Sequence, residues 1–527
     1  MKKLVAILLV ALVVVSSVVA GGNAETSSDQ ERTWTIGVSG NWYTHCPWMT
    51  NGGGGKTESI VNGLIYDGLV YVNQLGEASP RAAKSWEMSD DYMTVTFHLD
   101  ERAKWHDGEP VTADDWVWTF QMATEPDSAL LDMADFNMIA GTDDATGKEV
   151  SENSVGVRAI DDYTLEITFK SPTNLDTWFV SYGGEYRVLP KHILEDYPMS
   201  EITTCDFWLN PIGSGPCIFV SEQTSSSITL KANAEYQLGS PGFDTLIVRS
   251  IDSANVETSF LAHEIDAYAS PLTYEGTQVL AVDPTIKITR GETADLMYLM
   301  CVNNRVVDSV DARLAINYAI NKQEIIDVLF SGQGVPLESC IAPGSPYFND
   351  AQETIYDPEL AKELLKKSGW QQSGPLTLAT TADRENIAVM VESYLEAIGL
   401  DINILVCDSG TLYGGLFDET IPMGMAALPL TADPMATDQM YDYTRPGYYN
   451  VTDPHFLELQ NEIDSEMDQS KRIELIKEWQ EYGWAVQPAT FLCATYSYYA
   501  ESGHISGFEV GGREYGTIPV WKISVNQ

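Results

Sequence analysis

Strand and helix patterns alternate along the whole chain of 527 residues, with no internal repeat and no long linker between them. Thr94–Leu99 alternates polar and apolar residues, as a half-buried strand does, and Leu165–Phe169 follows the same pattern. Thr112 and Asp115 have the spacing of a capping box at a helix start, and Asp357–Pro358 begins another helix. This interleaving predicts an α/β fold, and the length predicts about three domains.

The chain is strongly acidic: 76 Asp and Glu residues oppose 30 Lys and Arg residues, for a formal net charge of −46. Such a surface repels phosphate backbones and anionic lipid headgroups, which argues against binding to nucleic acids or to a membrane surface. Hydrophobic residues make up 44% of the sequence, enough to build a core rather than a disordered chain. The composition therefore indicates a soluble, folded protein.

Residues 1–24 have the character of a secretion signal. The basic pair Lys2-Lys3 precedes an apolar run from Leu4 to Val15, and small residues follow it. The run is short for a membrane-spanning helix, although an N-terminal anchor remains the alternative. We expect export to the periplasm or the cell surface. Cys46 is the first cysteine, so no cysteine near the signal boundary could carry a lipid.

Motifs for catalysis and phosphate binding are incomplete. Gly52–Thr57 looks like a phosphate-binding loop, but Thr50 occupies the place of its first glycine. Gly213–Gly215 is followed by Pro216, which disfavours the helix start of a nucleophile elbow. We therefore predict no catalytic residues. A secreted hydrolase stays an alternative, because sequence neither places nor excludes the paired carboxylates of a glycosidase.

The seven cysteines and seven histidines do not form a metal-binding pattern. No CxxC or HExxH spacing occurs, and the neighbouring His45 and Cys46 are the one pair that could hold a soft metal. We predict no metal and no cofactor. The connectivity of any disulfides stays open.

Aromatic residues are concentrated in two segments. Trp42–Trp48 follows a predicted strand, and Tyr441–Tyr449 lies in the last fifth of the chain. Rings with polar tips offer large contact areas at low entropic cost, as ligand pockets require. The alternative is that these rings fill the core.

Ordered blocks between about residues 34 and 521 carry a family resemblance. The blocks are Ile65–Leu69, Ser79–Ala83, Ser85–Glu87, Phe97–Leu99, Ala103–Gly108, Pro110–Asp115, Gly213–Pro216, Arg313–Lys322, Asp357–Trp370 and Asp453–Arg472. Together they resemble the extracellular solute-binding proteins of family 5, the oligopeptide, dipeptide and nickel class that serves ABC importers.

The resemblance implies a two-lobe fold of the periplasmic-binding-protein type (type II, large class) with an additional α/β domain on lobe one. The lobes would close by a hinge over a small solute, without chemistry, and the monomeric protein would then dock on ABC permease subunits. The implied boundaries are 25–60, 186–295 and 503–527 for lobe one, 61–185 for the additional domain and 296–502 for lobe two.

In peptide-binding members the ligand is held as an added strand. The matching backbone edges here would be Gly40–Tyr43 and Ala426–Leu430. Oligopeptide binders typically carry an aspartate, for the amino group of the peptide, three residues before an Asp-Pro pair. In this sequence Leu430 stands there, ahead of Asp433-Pro434, and Pro429 removes an amide donor.

Either another acid, Asp433 or Asp438, anchors the ammonium group, or the ligand has none at that place. We expect a peptide, with an oligosaccharide, a metal chelate or another small solute as alternatives. The candidate ligand-contact residues are Gly40, Asn41, Trp42, Tyr43, His45, Trp48, Leu428, Leu430, Asp433 and Tyr441.

Overall fold

The computed structural model describes residues 31–48, 55–126, 134–144, 146–180, 186–223, 226–341, 343–351, 353–430, 433, 451, 453–509 and 517–526. The predicted signal segment, residues 1–24, lies outside these ranges. In chain order the strands are β1 Thr33–Ser39, β2 Val70–Val72, β3 Ala78–Pro80, β4 Ala83–Met88, β5 Thr94–Leu99, β6 Val157–Asp161, β7 Thr164–Thr168, β8 Cys217–Gln223, β9 Ser227–Ala232, β10 Thr245–Ile251, β11 Ala267–Tyr268, β12 Ile286–Val302, β13 Gly334–Pro336, β14 Leu376–Thr380, β15 Ile402–Val406, β16 Met423–Pro429, β17 Thr490–Ser502, β18 Ile505–Ser506 and β19 Ser524–Val525.

Helices lie between these strands. They are α1 Gly55–Ile65, α2 Ala113–Thr124, α3 Leu175–Trp178, α4 Lys191–Leu194, α5 Val256–Leu261, α6 Tyr274–Leu280, α7 Val310–Ala319, α8 Lys322–Leu329, α9 Pro358–Ser368, α10 Glu385–Ala397, α11 Ser409–Phe417, α12 Pro454–Ser465 and α13 Gln469–Val486.

Two long strands join the halves of the largest sheet. Its order within the described residues is β15-β14-β16-β12-β17-β11-β1-β10-β9-β8, with β13 also on β17. Strands β12 and β17 are 17 and 13 residues long and pair antiparallel. We call β1 and β8–β11 the lobe-one half-sheet and β14–β16 the lobe-two half-sheet. The register of β12 on β17 shifts between Arg290 and Leu296, and we call this irregular stretch the crossing.

A separate four-stranded sheet, in the order β4-β5-β7-β6, packs against α2. It holds the two strands that alternation predicted, β5 and β7, which pair antiparallel with each other. The side chains of Val95, Phe97 and Leu99 alternate into the core, as the sequence pattern requires. The predicted α/β fold with two lobes is confirmed, and this sheet is the body of the extra layer on lobe one.

The helix starts expected from the sequence are present. The backbone amide of Thr112 donates to Asp115 Oδ2 over 2.9 Å at the start of α2. At α9, Asp357 Oδ1 accepts the amides of Glu359 and Leu360, and Pro358 fills the first helical position. Each acid satisfies backbone donors that have no partner inside the helix.

Two of the family blocks meet in a buried ion pair. The Arg81 guanidinium pairs with the Asp67 carboxylate, and both side chains are almost fully buried. Tyr236 and Gln237 also donate to that carboxylate. Burial raises the pKa of Asp67, and the Arg81 charge opposes this rise. A buried charge needs such partners, so residues from separate blocks are tied together.

Two further blocks meet at a glycine turn. Gly213 donates its amide to His106 Nδ1 over 3.2 Å, so the other ring nitrogen of His106 carries the proton and donates to the Gly215 carbonyl at 3.0 Å. A Cβ atom on Gly213 would lie 1.9 Å from the Ile65 carbonyl oxygen. The close approach of this turn to α1 is therefore open to glycine alone.

In the described part of the chain, none of the seven cysteines takes part in a disulfide bond. Burial raises the pKa of the Cys46 thiol to about 12, which leaves it protonated and unreactive at neutral pH. Among the described residues, no group of three or more His, Cys, Asp or Glu side chains could hold a metal ion. No helix in the described ranges combines the length and apolar character needed to cross a lipid bilayer.

Candidate functional site

The carboxyl ends of β1, β11 and the first part of β12 lie at one edge of the lobe-one half-sheet, and β17 runs past them in the opposite direction. Ile36 of β1 is level with Ala267 of β11, and Ala267 is level with Glu501 of β17. Glu501 in turn pairs with Lys287 of β12, which runs in the same direction as β1. Counting three residues on, Ser39, Tyr498 and Arg290 share a level at this edge, next to the crossing. The loop that follows β1 therefore begins beside the crossing.

The lobe-two half-sheet presents an open backbone edge on the other side of the crossing. Strand β14 pairs with β16 at Met423 and Gly424 only, whereas β12 pairs with β16 as far as Pro429. From Met425 to Pro429, one edge of β16 thus has no strand partner within the described residues. This edge contains most of the predicted Ala426–Leu430 segment.

Leu428 and Leu430 contribute backbone rather than side chain to this edge. Their side chains are 3% and 4% exposed and lie in the apolar core beneath the lobe-two half-sheet. A ligand laid along β16 would find main-chain groups there. Pro429 supplies a carbonyl and no amide donor.

The loop after β1 is held in place by hydrogen bonds to β10 and to α1. Gly40 has a φ of +83°, in the left-handed region that favours glycine, and its carbonyl accepts from Ser250 Oγ at 2.8 Å. The amide of Tyr43 donates to Glu58 Oε1 at 2.7 Å, and burial raises the pKa of Glu58. Asn41 is exposed and its Oδ1 lies 3.1 Å from Ser250 Oγ. This support fixes the loop beside the crossing.

Neighbouring rings of this loop have opposite orientations. The Tyr43 side chain is 65% exposed, whereas that of Trp42 is 1% exposed and donates its Nε1 proton to Glu222 Oε1 at 2.7 Å. His45 Nε2 lies 3.0 Å from the other oxygen of Glu222, and its ring packs edge-on against Phe219. Trp42 and His45 therefore anchor the loop, and Tyr43 is the ring presented to solvent.

A cavity of about 690 Å³ lies between this loop and β8. Exposed apolar side chains of Leu209 and Val220 lie on it, together with the ring of Tyr43. A hydroxylated or apolar side chain of a ligand would fit such a surface. The lining residues are Trp42, Tyr43, Thr44, His45, Thr203, Thr204, Cys205, Asp206, Trp208, Leu209, Asn210, Phe219, Val220, Ser221 and Glu222.

Trp48 lies apart from this surface. Its ring stacks on Tyr186 at 5.8 Å and on Phe136 at 5.7 Å, and its Nε1 proton goes to the Arg187 carbonyl. The side chain is 6% exposed. Trp48 thus follows the core-filling alternative. Tyr441, the other aromatic candidate, lies outside the described residues.

Asp433 has protein partners on both carboxylate oxygens. Arg472 donates to Oδ2 over 2.6 Å and to Oδ1 over 3.1 Å, and Thr177 Oγ1 donates to Oδ2 over 2.7 Å. Asp433 is 2% exposed. Burial, and next the charge of Asp433, raise the pKa of Asp176 on the same helix as Thr177. Asp433 therefore links α3 to lobe two. Its carboxylate already accepts hydrogen bonds from Arg472 and Thr177, so the ammonium group of a ligand would have to compete with these donors.

Sequence reasoning missed a group at the crossing, which we call the hinge cluster: Arg290, Gln333, Tyr496 and Tyr498. The Arg290 guanidinium lies 4.1 Å from the centre of the Tyr496 ring. Tyr498 donates its hydroxyl proton to Gln333 Oε1 over 2.7 Å. The sequence did contain a signal for this cluster: Arg290 ends the alternating segment Ile286–Arg290 in a strongly acidic chain.

Residues 77–449 match the family model described as bacterial extracellular solute-binding proteins, family 5 Middle. The oligopeptide-binding protein OppA of Bacillus subtilis (strain 168) is 25% identical over 492 residues, which cover 87% of either chain. The ABC transporter substrate-binding protein CtaP of Listeria monocytogenes superposes with a TM-score of 0.79 at 23% identity, over 94% of this chain and 100% of CtaP.

A third similar protein is DppA of Helicobacter pylori, an ABC transporter-associated periplasmic binding protein solved in complex with the peptide STSA. It superposes with a TM-score of 0.71 at 22% identity, over 94% of this chain and 99% of DppA. These likenesses agree with the two half-sheets joined at the crossing. Since the family model also matches most of the sequence, the chain belongs to the bacterial extracellular solute-binding proteins of family 5.

Proposed function

We propose that the protein captures a peptide between its lobes as the binding component of an ABC importer, and releases it unaltered to the permease. The observation that carries this proposal is the open edge of β16 at Met425–Pro429, on the other side of the crossing from the loop Gly40–Tyr43. Similar proteins support the choice of ligand, because OppA is named for oligopeptides and DppA was solved with a peptide.

An extended peptide suits this open edge physically. Unpaired main-chain groups of a strand form hydrogen bonds with any peptide backbone, which gives affinity without demanding a sequence. The cavity beside Tyr43 is wide enough for side chains of different sizes. Such a site would bind a range of peptides through their backbones and sort them only loosely by side chain.

The domain boundaries form part of the proposal. The division of β12 between residues 295 and 296 falls at the crossing, whereas the division after Ser502 falls at the end of β17, beyond the residues of β17 that pair with β11 and the first part of β12. Both polypeptide connections between the lobes would then be strands of one ribbon, about which the lobes can rotate. We place the permease-docking surfaces on the two lobes of a monomer and propose no catalytic residue.

A direct test combines mass spectrometry with calorimetry. Protein purified without refolding is analysed by native mass spectrometry, and then titrated with peptides of graded length and with oligosaccharides. We expect bound peptide, and a rise in unfolding free energy of about 2.7 kcal/mol at a free ligand concentration about 100 times Kd. The recovered peptide should have its original mass. Cleavage of the peptide, or binding of saccharide alone, would overturn the proposal.

The strand-like mode has its own control. A peptide with single N-methyl groups on its backbone keeps its side chains but loses one amide donor at a time. We expect some positions to weaken binding by about 1 kcal/mol, roughly fivefold, and intervening positions to have little effect. Equal tolerance at every position would show that the backbone of the ligand is not read.

A further inference from the structure

Arg290 is unusual among the arginines of this chain. It is exposed, and its guanidinium has no hydrogen-bond or carboxylate partner among the described residues. Every other described arginine has at least one such partner: Arg32, Arg81, Arg102, Arg158, Arg187, Arg249, Arg305, Arg313, Arg384 and Arg472. Among these arginines, Arg290 alone has neither a carboxylate nor a hydrogen-bond acceptor as a partner in the part of the chain that the structure describes.

The position of Arg290 is also specific. It ends the part of β12 that belongs with the lobe-one half-sheet, at the level of Ser39, and pairs across the ribbon with Tyr498. The next register shift begins after it. We place the ligand between the loop Gly40–Tyr43 and the open edge of β16, on a path that passes Arg290.

The Tyr496 ring holds the Arg290 guanidinium in a position from which it can bind an anion. The guanidinium carbon lies over the ring, 4.1 Å from its centre, so the ring supports the positive charge without using up a hydrogen-bond donor of the arginine. The N–H donors form the fork that matches a carboxylate. The neighbouring base Lys287 is already paired with Glu501, so it does not compete. The Tyr498 hydroxyl is likewise occupied by Gln333.

We propose that Arg290 binds a carboxylate of the captured ligand at the crossing, and so fixes the direction in which the ligand lies between the lobes. This inference rests on the proposed function and adds a polar anchor to it. In a protein with a net charge of −46, an anionic group would be repelled from most of the surface, and this arginine supplies a local site of opposite sign. The carboxylate comes from the C-terminus of a peptide or from an acidic side chain.

The test is a cycle of protein and ligand changes measured by titration calorimetry. Arg290→Gln removes the charge, Arg290→Lys keeps the charge but loses the fork, and Arg305→Gln removes a paired, exposed arginine beyond the far end of β12. We expect Arg290→Gln to weaken a free-acid peptide by about 10- to 100-fold, Arg290→Lys by less, and Arg305→Gln by under twofold.

Ligand variants locate the carboxylate. The peptide is compared with its C-terminal amide and with versions in which Asp or Glu is replaced by Asn or Gln. The change that removes the partner of Arg290 should weaken binding to the natural protein, and should have little further effect on Arg290→Gln. Thermal unfolding of each variant confirms that it folds.

The outcomes separate the two proposals. If the natural protein binds peptides and Arg290→Gln binds them equally well, the role of Arg290 is wrong and peptide capture stands. If no peptide binds, peptide capture is wrong, and the copurified ligand is identified by mass spectrometry. A ligand without an anionic group would then overturn the Arg290 proposal as well.

Discussion

Arg81 and Arg290 use the same side chain in opposite ways. Arg81 is almost fully buried, pairs with Asp67 and lies 5.4 Å from the Trp521 ring centre. Arg290 also lies over an aromatic ring, but it is exposed and has no acid among the described residues. The ring is common to both, so the difference lies in burial and in the partner. The first arginine holds segments of lobe one together, whereas the second is available to a ligand.

Loss of the carboxylate that pairs with the buried Arg81 should have the greatest effect on stability. Asp67→Asn leaves Arg81 as a buried charge without its carboxylate, which should cost about 3–5 kcal/mol of unfolding free energy. Urea denaturation measures this loss. Ligand affinity per folded molecule should stay near that of the natural protein, the reverse of the pattern expected for Arg290→Gln. A loss under about 1 kcal/mol would show that the ion pair does not hold these two segments together.

A control replaces both members of the pair together. In Asp67→Leu with Arg81→Met no charge is left buried, so we expect much of the lost stability to return. If the double variant were as unstable as Asp67→Asn, the loss would come from packing and not from the unpaired charge.

The stability of the folded protein should also depend on pH through His106. Burial lowers the pKa of His106 to about 4, against about 6.5 in an unfolded chain. Between these values the unfolded chain binds the proton and the folded chain does not, so the stability contributed here is lost as the pH falls from about 6.5 to about 4. The full loss is about 3 kcal/mol.

The measurement is the unfolding free energy of the natural protein and of His106→Gln across this pH range. We expect the difference between the two to shrink by about 3 kcal/mol as the pH falls. His263→Gln, whose parent side chain is 67% exposed, serves as the control and should follow the natural protein. Parallel curves for His106→Gln and the natural protein would contradict a His106 ring that is neutral in the folded protein.

The smallest loss of stability is expected when the hydrogen bond between Thr177 and Asp433 is removed. Thr177→Val removes the hydroxyl that donates to Asp433 but keeps the shape of the side chain. Since Arg472 still neutralises Asp433, we expect a loss of about 1–2 kcal/mol in stability. Peptides with a free and with an acetylated amino terminus should lose affinity equally, as titration can show. A loss confined to the free amino terminus would instead support Asp433 as the ammonium anchor.

Local features of the fold could be predicted from the sequence because they depend on near neighbours. The alternation of β5 and the Asp357 cap of α9 are set within a few residues. The pairing of β12 with β17 could not be predicted, because its register depends on the packing of distant segments. The two lobes were predicted from the family resemblance, because the pattern of residues alone indicated only an α/β fold.

The candidate site was predictable in part for the same reason. Gly40–Tyr43 and Ala426–Leu430 were named by resemblance, and the structure shows where each backbone lies relative to the crossing. Trp48 looked like its neighbour Tyr43 in sequence, yet one ring is buried and the other exposed. Local sequence does not tell which face of a loop meets the core. Arg290 was missed because a single charged residue at a strand end is typical of solvent-facing positions.

The order of the segments along the chain has a consequence for biosynthesis. Arg187 donates to Thr517, which is made 330 residues later, and Ile518, Val520 and Ile523 complete the core that begins at Trp34. At roughly 5–20 residues per second, the first lobe waits tens of seconds on the ribosome for its last strands. For a member of a family described as extracellular, we expect the core of the first lobe to stay incomplete until nearly the whole chain has been made.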